Sequence, residues 1–466
     1  MNFSKTIKTY FSGQKLNRLW AALLLLAITA PAHAELIVLS YHEAHHKLDN
    51  NSDFDAMTLK TSELAAQFSW LKERGYVSIN IDDLLAAQKG TRTLPDNAVL
   101  LSFDDGYLGM YTQVYPLLRA FDFQAVIAVV GRWMETPNGK KVAYGTKSVA
   151  RENFLTWAQI REMVKSGRVE VASHSYDLHH GILANPQGNT QPAATSQRYN
   201  ANTRQYENEK QYRQRIYNDL KRNSDLIARK TGKKPRVLVW PYGAHNRITM
   251  DIAQELGMPV TLSLEEGKVD LQSPGSINRL LIGHGITLAD FVWQITDHYK
   301  PQKELVRAVN LNLDDIYDPN PEQQENNLGV ALEKIKKRRI NTVYLQAFSD
   351  PDGDGNADAV YFPNRHLPVR ADLFNRATWQ LRTRAEVKVY AWIPPEAFSS
   401  KTVTLLGDLY EDLARYSYID GLAFYHAAGL SNDEHELVER ARLYRPLLKV
   451  THKKSETPSM NGLEKN

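Results

Sequence analysis

The stretch VLLSFDDGYLGMY occupies Val99–Tyr111. Five mostly apolar residues run into two adjacent carboxylates, Asp104 and Asp105, and then Gly106. The apolar run reads as a buried strand. Two like charges side by side at its end repel, so the fold must offset them. Similar apolar runs recur on both sides, at Leu36–Tyr41, Tyr76–Ile79, Ala125–Val130, Val169–Ala172, Val237–Trp240 and Val260–Leu264. Helical patterns lie between most of them. TSELAAQFSWLKERG has apolar residues at three- and four-residue spacing and a glycine stop at Gly75. TWAQIREMVKSG and NRITMDIAQELG repeat that design. Alternating strands and helices over about 260 residues predict a parallel sheet closed, or nearly closed, into a barrel. A doubly wound open sheet is the alternative.

The chain has 466 residues, room for two or three domains with full cores. Its formal charge of +4 is local: Lys5, Lys8, Lys15 and Arg18 lie in residues 1–34, which hold no acid. The rest has no net charge to attract nucleic acid. The basic start leads into LWAALLLLAITAPAHA, an apolar run below the ~20 residues that span a bilayer. It ends in Ala32-His33-Ala34, an A-x-A cleavage pattern, so residues 1–34 read as a signal peptide and the product as a soluble protein outside the cytoplasm. An uncleaved anchor is the alternative. The chain has no cysteine, which excludes disulfides, thiol catalysis and a lipid-modified cysteine. Gly181–Glu207, rich in Asn, Gln, Thr, Ala and Pro, breaks the rhythm and reads as either a lid or a disordered insertion.

Four strand ends carry unusual residues. SFDDGY offers Asp104 and Asp105; VEVASHSYDLHHG offers His174 and His179; RVLVWPYGAHN ends in Trp240-Pro241-Tyr242-Gly243; IVLSYHEAHH places His42 after the first strand. In a parallel barrel all four ends face one mouth. One carboxylate plus two imidazoles is a recurrent set for a divalent metal with open positions. Bound there, a cation would offset the aspartate repulsion and leave the second aspartate ionised as a general base. Taken singly, an Asp-Asp-Gly is most often a turn and a strand-end histidine a packing residue. His45, His46 and His180 are left as solvated residues.

SFDDGY, SHSYDLHH and WPYG resemble the motifs of the polysaccharide deacetylases, carbohydrate esterase family four. More narrowly they are similar to the subgroup acting on poly-β-1,6-N-acetylglucosamine, whose wider histidine spacing matches His174 and His179. The resemblance implies a distorted (β/α) barrel over 35–300. It implies Asp104 as base, and Asp105, His174 and His179 as ligands of one divalent metal: zinc first, with nickel, cobalt or iron as alternatives. It implies a Tyr242 backbone N–H for the oxyanion and a histidine as acid, His42 in preference to His284. The implied partners are poly-N-acetylglucosamine and an outer-membrane export porin. Peptidoglycan or chitin-type substrates, or a non-catalytic polysaccharide-binding role, remain alternatives.

Beyond a boundary near residues 299–303, INTVYLQAFSD and VKVYAWIPPEAF again read as strands leading into polar loops. This part, 305–450, resembles the glycoside-hydrolase-like domain of the same deacetylases, shortened to a partial barrel that exposes sheet edges. Asp314 stands where the resemblance expects a sugar contact. Ala427 and Ala428 replace an expected aspartate pair, so no glycosidase activity is expected. DPDGDGNAD, from Asp350 to Asp358, starts like a calcium loop but has Tyr361 where a bidentate Glu belongs, so a polar loop is the reading. Trp379 and Trp392 read as sugar-stacking or core residues. Residues 451–466 read as a polar tail.

Overall fold

A computed structural model describes residues 35–46, 57–145, 147–265, 269, 271, 275–297, 305–398, 403–424, 431–453 and 457–460. The expected leader, the boundary near 299–303, and Ala427 and Ala428 lie outside them.

The first sheet is parallel throughout. Its strands are β1 (Glu35–Tyr41), β2 (Val77–Ser78), β3 (Asn97–Phe103), β4 (Ala125–Val129), and, after a hairpin of β5 (Lys141–Tyr144) and β6 (Lys147–Ala150), β7 (Val169–Ser173), β8 (Val237–Val239), β9 (Val260–Leu262) and β10 (Leu280–Leu281). The order is β9-β8-β7-β4-β3-β1-β10, with β2 on the lower half of β3. Both faces of β3 are buried, one against each of two apolar clusters. That is why its sequence is a near-continuous apolar run rather than an alternating one. The segment 277–282 closes the sheet into a distorted barrel. Ile277 exchanges backbone hydrogen bonds with the end of β9, and Leu280 and Leu281 then pair with Leu39 and Ser40 of β1.

Helices cover the sheet: α1 (Thr61–Glu73) and α5 (Trp157–Lys165) where the periodicity placed them, and also α2 (Ile81–Gln88), α3 (Tyr115–Phe121) and the short α4 (Gly131–Met134). The longest, α6 (Glu209–Thr231), starts at an Asn208–Gln211 capping box and ends at Gly232, whose φ of 81° suits a glycine. It buries Leu220, Asn223 and Ile227 against the sheet. Next come α7 (Arg247–Glu255) and α8 (Leu288–Asp297).

A second parallel sheet follows, in the order β11 (Ala308–Leu311), β12 (Thr342–Gln346), β13 (Lys388–Trp392), β14 (Gly421–Phe424) and β15 (Lys449–His452). It is covered by α9 (Pro321–Lys337), α10 (Phe374–Arg384), α11 (Val403–Tyr416) and α12 (Asn432–Arg442). The expected polar tail is not wholly tail. Thr451 and His452 belong to β15, and the Asn310 N–H donates to the Pro458 carbonyl while the Met460 N–H donates to Asn310, both near 3.0 Å. Polar residues serve here because their backbones, not their side chains, do the pairing. The edge of β11 at Asn310 is thereby covered, where an exposed edge was expected.

The stretch 181–207 is neither lid nor disordered. It forms two small hairpins, Gly181–Leu183 with Thr190–Pro192 and Tyr199–Asn200 with Gln205–Tyr206. It exchanges hydrogen bonds with α10: Gln191 donates to Asn375 at 2.8 Å, and Asn375 donates to the Ala184 carbonyl at 3.2 Å. Polar composition here marks a hydrogen-bonded interface rather than a solvated loop. One apolar core runs through it, from Trp240 and Ile248 under the first sheet to Val309 and Phe374 under the second.

Candidate functional site

β3 ends at Phe103, in register with Tyr41 of β1. The Asp104 N–H then donates to the Tyr41 carbonyl at 2.9 Å, and the Gly106 N–H donates back to the Asp104 carbonyl at 2.9 Å. Asp105, between them, takes a φ of 71°. A tight three-residue turn with a left-handed non-glycine residue is strained, and such strain gathers at functional sites. The turn parts the two carboxylates, and each meets its own set of partners.

Asp104 meets Arg279, which donates Nη1 to Oδ1 at 2.8 Å and Nη2 to Oδ2 at 2.9 Å. Arg279 comes from the closing segment and also donates to Ser102 Oγ and the Ser263 carbonyl, both at 3.0 Å. Burial alone would raise the Asp104 carboxyl. The charge and hydrogen bonds of Arg279 outweigh burial and hold it well below the usual carboxylate range. The sequence reading missed Arg279. Its one signal was an arginine inside the apolar run Ile277–Ile282.

Asp105 turns the other way. Its Oδ1 lies 3.5 Å from His174 Nε2 and 3.4 Å from His179 Nε2. Its Oδ2 accepts a hydrogen bond from the Tyr144 hydroxyl at 3.0 Å. His174 Nδ1 faces the Val239 carbonyl at 2.7 Å, so that nitrogen carries the proton and Nε2 presents a lone pair. Burial pushes the His174 imidazolium pKa down to about 4 and raises the Asp105 carboxyl. Asp105 Oδ1 is buried with no hydrogen-bond partner. A lone pair thus faces a carboxylate oxygen with no donor between them, an arrangement that a cation satisfies. One ligand atom from each of Asp105, His174 and His179 lies within 4.8 Å of the others, and the carboxylate-imidazole set suits a divalent metal.

The histidine loop is held on every side. Ser175 has a φ of 66°, and its hydroxyl accepts the Leu178 N–H at 3.0 Å. The first N–H groups of α4, at Gly131 and Arg132, donate to the Ser175 and Tyr176 carbonyls. From α6, Asp219 accepts the Tyr176 and Asp177 N–H groups at 2.8 Å each. Gly131 has to be glycine, because a Cβ there would sit 2.4 Å from Asn223 Oδ1. The His179 ring sits among Trp133, Tyr242 and Tyr144, with ring centres 4.9, 4.6 and 5.8 Å away.

His42 follows β1 and stands close to both aspartates. Its Nδ1 is buried without a hydrogen-bond partner. His284 instead faces the Thr58 carbonyl at 3.3 Å. Tyr242 stands in a tight turn, Pro241–Gly243, with a φ of 58° and its ring half exposed. Burial and the Asp105 charge push its phenol up to about 12. His45, His46 and His180 stay outside this group: His45 lies 3.5 Å from Glu43, and His180 faces its neighbour's carbonyl.

The second sheet's mouth is different. Asp314 accepts four hydrogen bonds, from Ser349 Oγ (2.9 Å), Tyr361 OH (2.6 Å), Arg370 Nη1 (3.0 Å) and the Asp350 N–H (2.9 Å). Asp350, Asp352 and Asp354 cluster, but each accepts a backbone N–H of its own loop. The Trp392 ring is covered by Lys453 Nζ at 3.5 Å, and Trp379 packs edge-on against Tyr418.

The polysaccharide deacetylase profile matches residues 91–261. A de-N-acetylase structure from Aggregatibacter actinomycetemcomitans is 36% identical, with a TM-score of 0.52 over 55% of this chain and 98% of that one. The chain belongs to the polysaccharide deacetylase family. This deacetylase-family chain is also 38% identical to the poly-beta-1,6-N-acetyl-D-glucosamine N-deacetylases of Escherichia coli K12 and O157:H7. Those matches cover 88% of it but only 65% of the length of those relatives. A second profile, hypothetical glycosyl hydrolase family 13, matches residues 310–404 of the second sheet. Among the described residues no helix is long and apolar enough to cross a membrane.

Proposed function

We propose that this chain is a metal-dependent N-deacetylase of poly-β-1,6-N-acetyl-D-glucosamine. The observation that carries it is the buried, partnerless Asp105 Oδ1 facing two imidazole nitrogens, beside a second aspartate held ionised by Arg279. Asp105, His174 and His179 are the residues that would hold the divalent ion. Zinc leads by commonness; nickel, cobalt and iron suit the same donors. Such an ion polarises an amide carbonyl and acidifies water beside it.

The chain's own groups supply the rest. Asp104 takes the proton of the attacking water, and Arg279 keeps that carboxylate ionised and aimed. The Tyr242 backbone N–H donates to the oxyanion of the tetrahedral intermediate. His42 protonates the leaving nitrogen, so acetate departs and a free amine stays on the sugar. Residues 35–300 form the deacetylase unit and 305–450 a carbohydrate-binding unit without glycosidase activity. A cleaved leader over 1–34 directs the protein to the periplasm, where an outer-membrane porin would take the modified polymer.

The test is mass spectrometry of β-1,6-linked N-acetylglucosamine oligomers incubated with protein and added metal. The expected result is loss of acetyl groups, prevented by chelator. Deacetylation of β-1,4-linked oligomers alone would move the substrate to chitin or peptidoglycan. No loss on either, with retained binding to the polymer, would leave a binding protein.

A further inference from the structure

One residue at the site comes from outside the barrel. The hairpin β5–β6 stands between α4 and α5 and carries Tyr144 at the end of its first strand. It is not a loose flap. Val142 and Val149 are buried with Tyr107, Val130, Trp133 and Phe154 in a small apolar cluster of their own. The Tyr144 ring packs against Trp133 at 5.1 Å and Tyr107 at 6.1 Å, and lies nearly parallel to the His179 ring. Its hydroxyl then reaches Asp105 Oδ2 at 3.0 Å.

That single bond makes the two oxygens of Asp105 unequal. Oδ2 is occupied by a donor, while Oδ1 is left bare and aimed at both Nε2 atoms. We propose that Tyr144 is a positioning residue that keeps Asp105 a one-oxygen ligand, so that the cation retains a free position for substrate. This rests on the reading of Asp105, His174 and His179 as a metal site. A carboxylate released from such a donor can turn and chelate through both oxygens, filling a position that a catalytic site needs open. Hydrogen-bond partners of metal ligands commonly alter affinity or activity by 10–100-fold when removed. Tyr144→Phe removes the hydroxyl and leaves the ring packing in place.

The experiment loads the full-length protein and its Tyr144→Phe variant with cobalt(II) and compares their visible absorption. Four-coordinate cobalt absorbs strongly, and added ligand oxygens weaken the bands. The expected result is a clear band in the wild type that weakens in the variant, while the melting temperatures stay together. In the same pair, kcat on the oligomers falls about tenfold with little change in KM. A variant band identical in position and intensity to the wild type overturns the role given to Tyr144 and leaves the metal site standing. No cobalt retained by the wild type after dialysis, read by metal analysis, overturns the metal site itself, and the Tyr144 role with it. Cobalt retained with only a weak band in the wild type overturns the open position given to Tyr144.

Discussion

Two aspartates stand in matching places in this molecule. Asp105 lies two residues past the end of β3, and Asp314 lies three residues past the end of β11. Both sit at the mouth of a parallel sheet, and both are largely withdrawn from solvent. Their surroundings differ in kind. Asp314 accepts four hydrogen bonds, one from a guanidinium, and both its oxygens are used. Asp105 keeps Oδ1 bare among acceptors, in a backbone turn that costs strain. Burying an unsatisfied carboxylate oxygen is expensive, and one that also faces two imidazole nitrogens makes a place where a cation would offset that cost. A saturated carboxylate needs nothing further and serves as a tie between loops.

The comparison breaks most visibly at the base. Asp104→Asn should lower deacetylation by about 10³-fold, the range for removing a positioned proton acceptor. Zinc or cobalt should still bind, because Asp104 is turned away from His179 toward Arg279. Turnover at the wild-type rate would remove Asp104 from the role of base. Next in size is Arg279→Met. The substitution leaves a buried carboxylate without its partner, a loss of about 3–5 kcal/mol that chemical denaturation would read. With the guanidinium gone, burial dominates and the Asp104 carboxyl rises from its depressed position. The acid limb of kcat/KM should therefore move to higher pH. An unmoved limb would show that Arg279 serves stability alone.

Asp314→Asn tests the other side. The variant loses a charge and one acceptor in a network with Tyr361 and Arg370, so about 2 kcal/mol of stability should go. The kcat for short oligomers should stay put. If the variant melts like the wild type but no longer retains the polymer, Asp314 is a sugar contact, and the contrast drawn from hydrogen-bond saturation fails.

The sequence carried the strands and one wall of the site, and physics explains why. Strands buried on both faces leave continuous apolar runs, and the polar residues that end them stand out, as Asp104, Asp105, His174 and Tyr242 do. Arg279 was out of reach because it meets Asp104 only when the barrel closes, 175 positions along the chain. Tyr144 comes from a hairpin whose VAY pattern says nothing about where its tip lands. The stretch 181–207 misled through composition: its Gln187 donates to the Asp372 carbonyl and its Asn185 accepts the Asn189 N–H, so these side chains serve backbone groups rather than water. Saturation, the property that separates Asp314 from Asp105, is a matter of neighbours and leaves no mark in the sequence.

The smallest effect belongs to that misread stretch. Asp372, just before α10, accepts the Tyr206 hydroxyl on Oδ2 and buries Oδ1 without a hydrogen-bond partner. Burial pushes its carboxyl up to about 6, against a partial offset from Tyr206. A carboxyl raised in the folded state stabilises the fold fully below its unfolded value, about 4, and loses that contribution as pH rises through 6. Asp372→Asn removes the titration. The variant should therefore gain on the wild type as pH climbs from about 4 to 7, by up to about 2 kcal/mol in denaturant midpoints. Below pH 4 the two should converge. Unlike Asp105, which sits among imidazoles that would share a cation, Asp372 has a bare oxygen and no metal-binding neighbour among the described clusters. Added zinc should leave the Asp372→Asn difference unchanged while it stabilises both proteins through the first site. If zinc erased the difference, a bare carboxylate oxygen alone would be attracting the metal, and the three-residue set would lose its claim to be the centre.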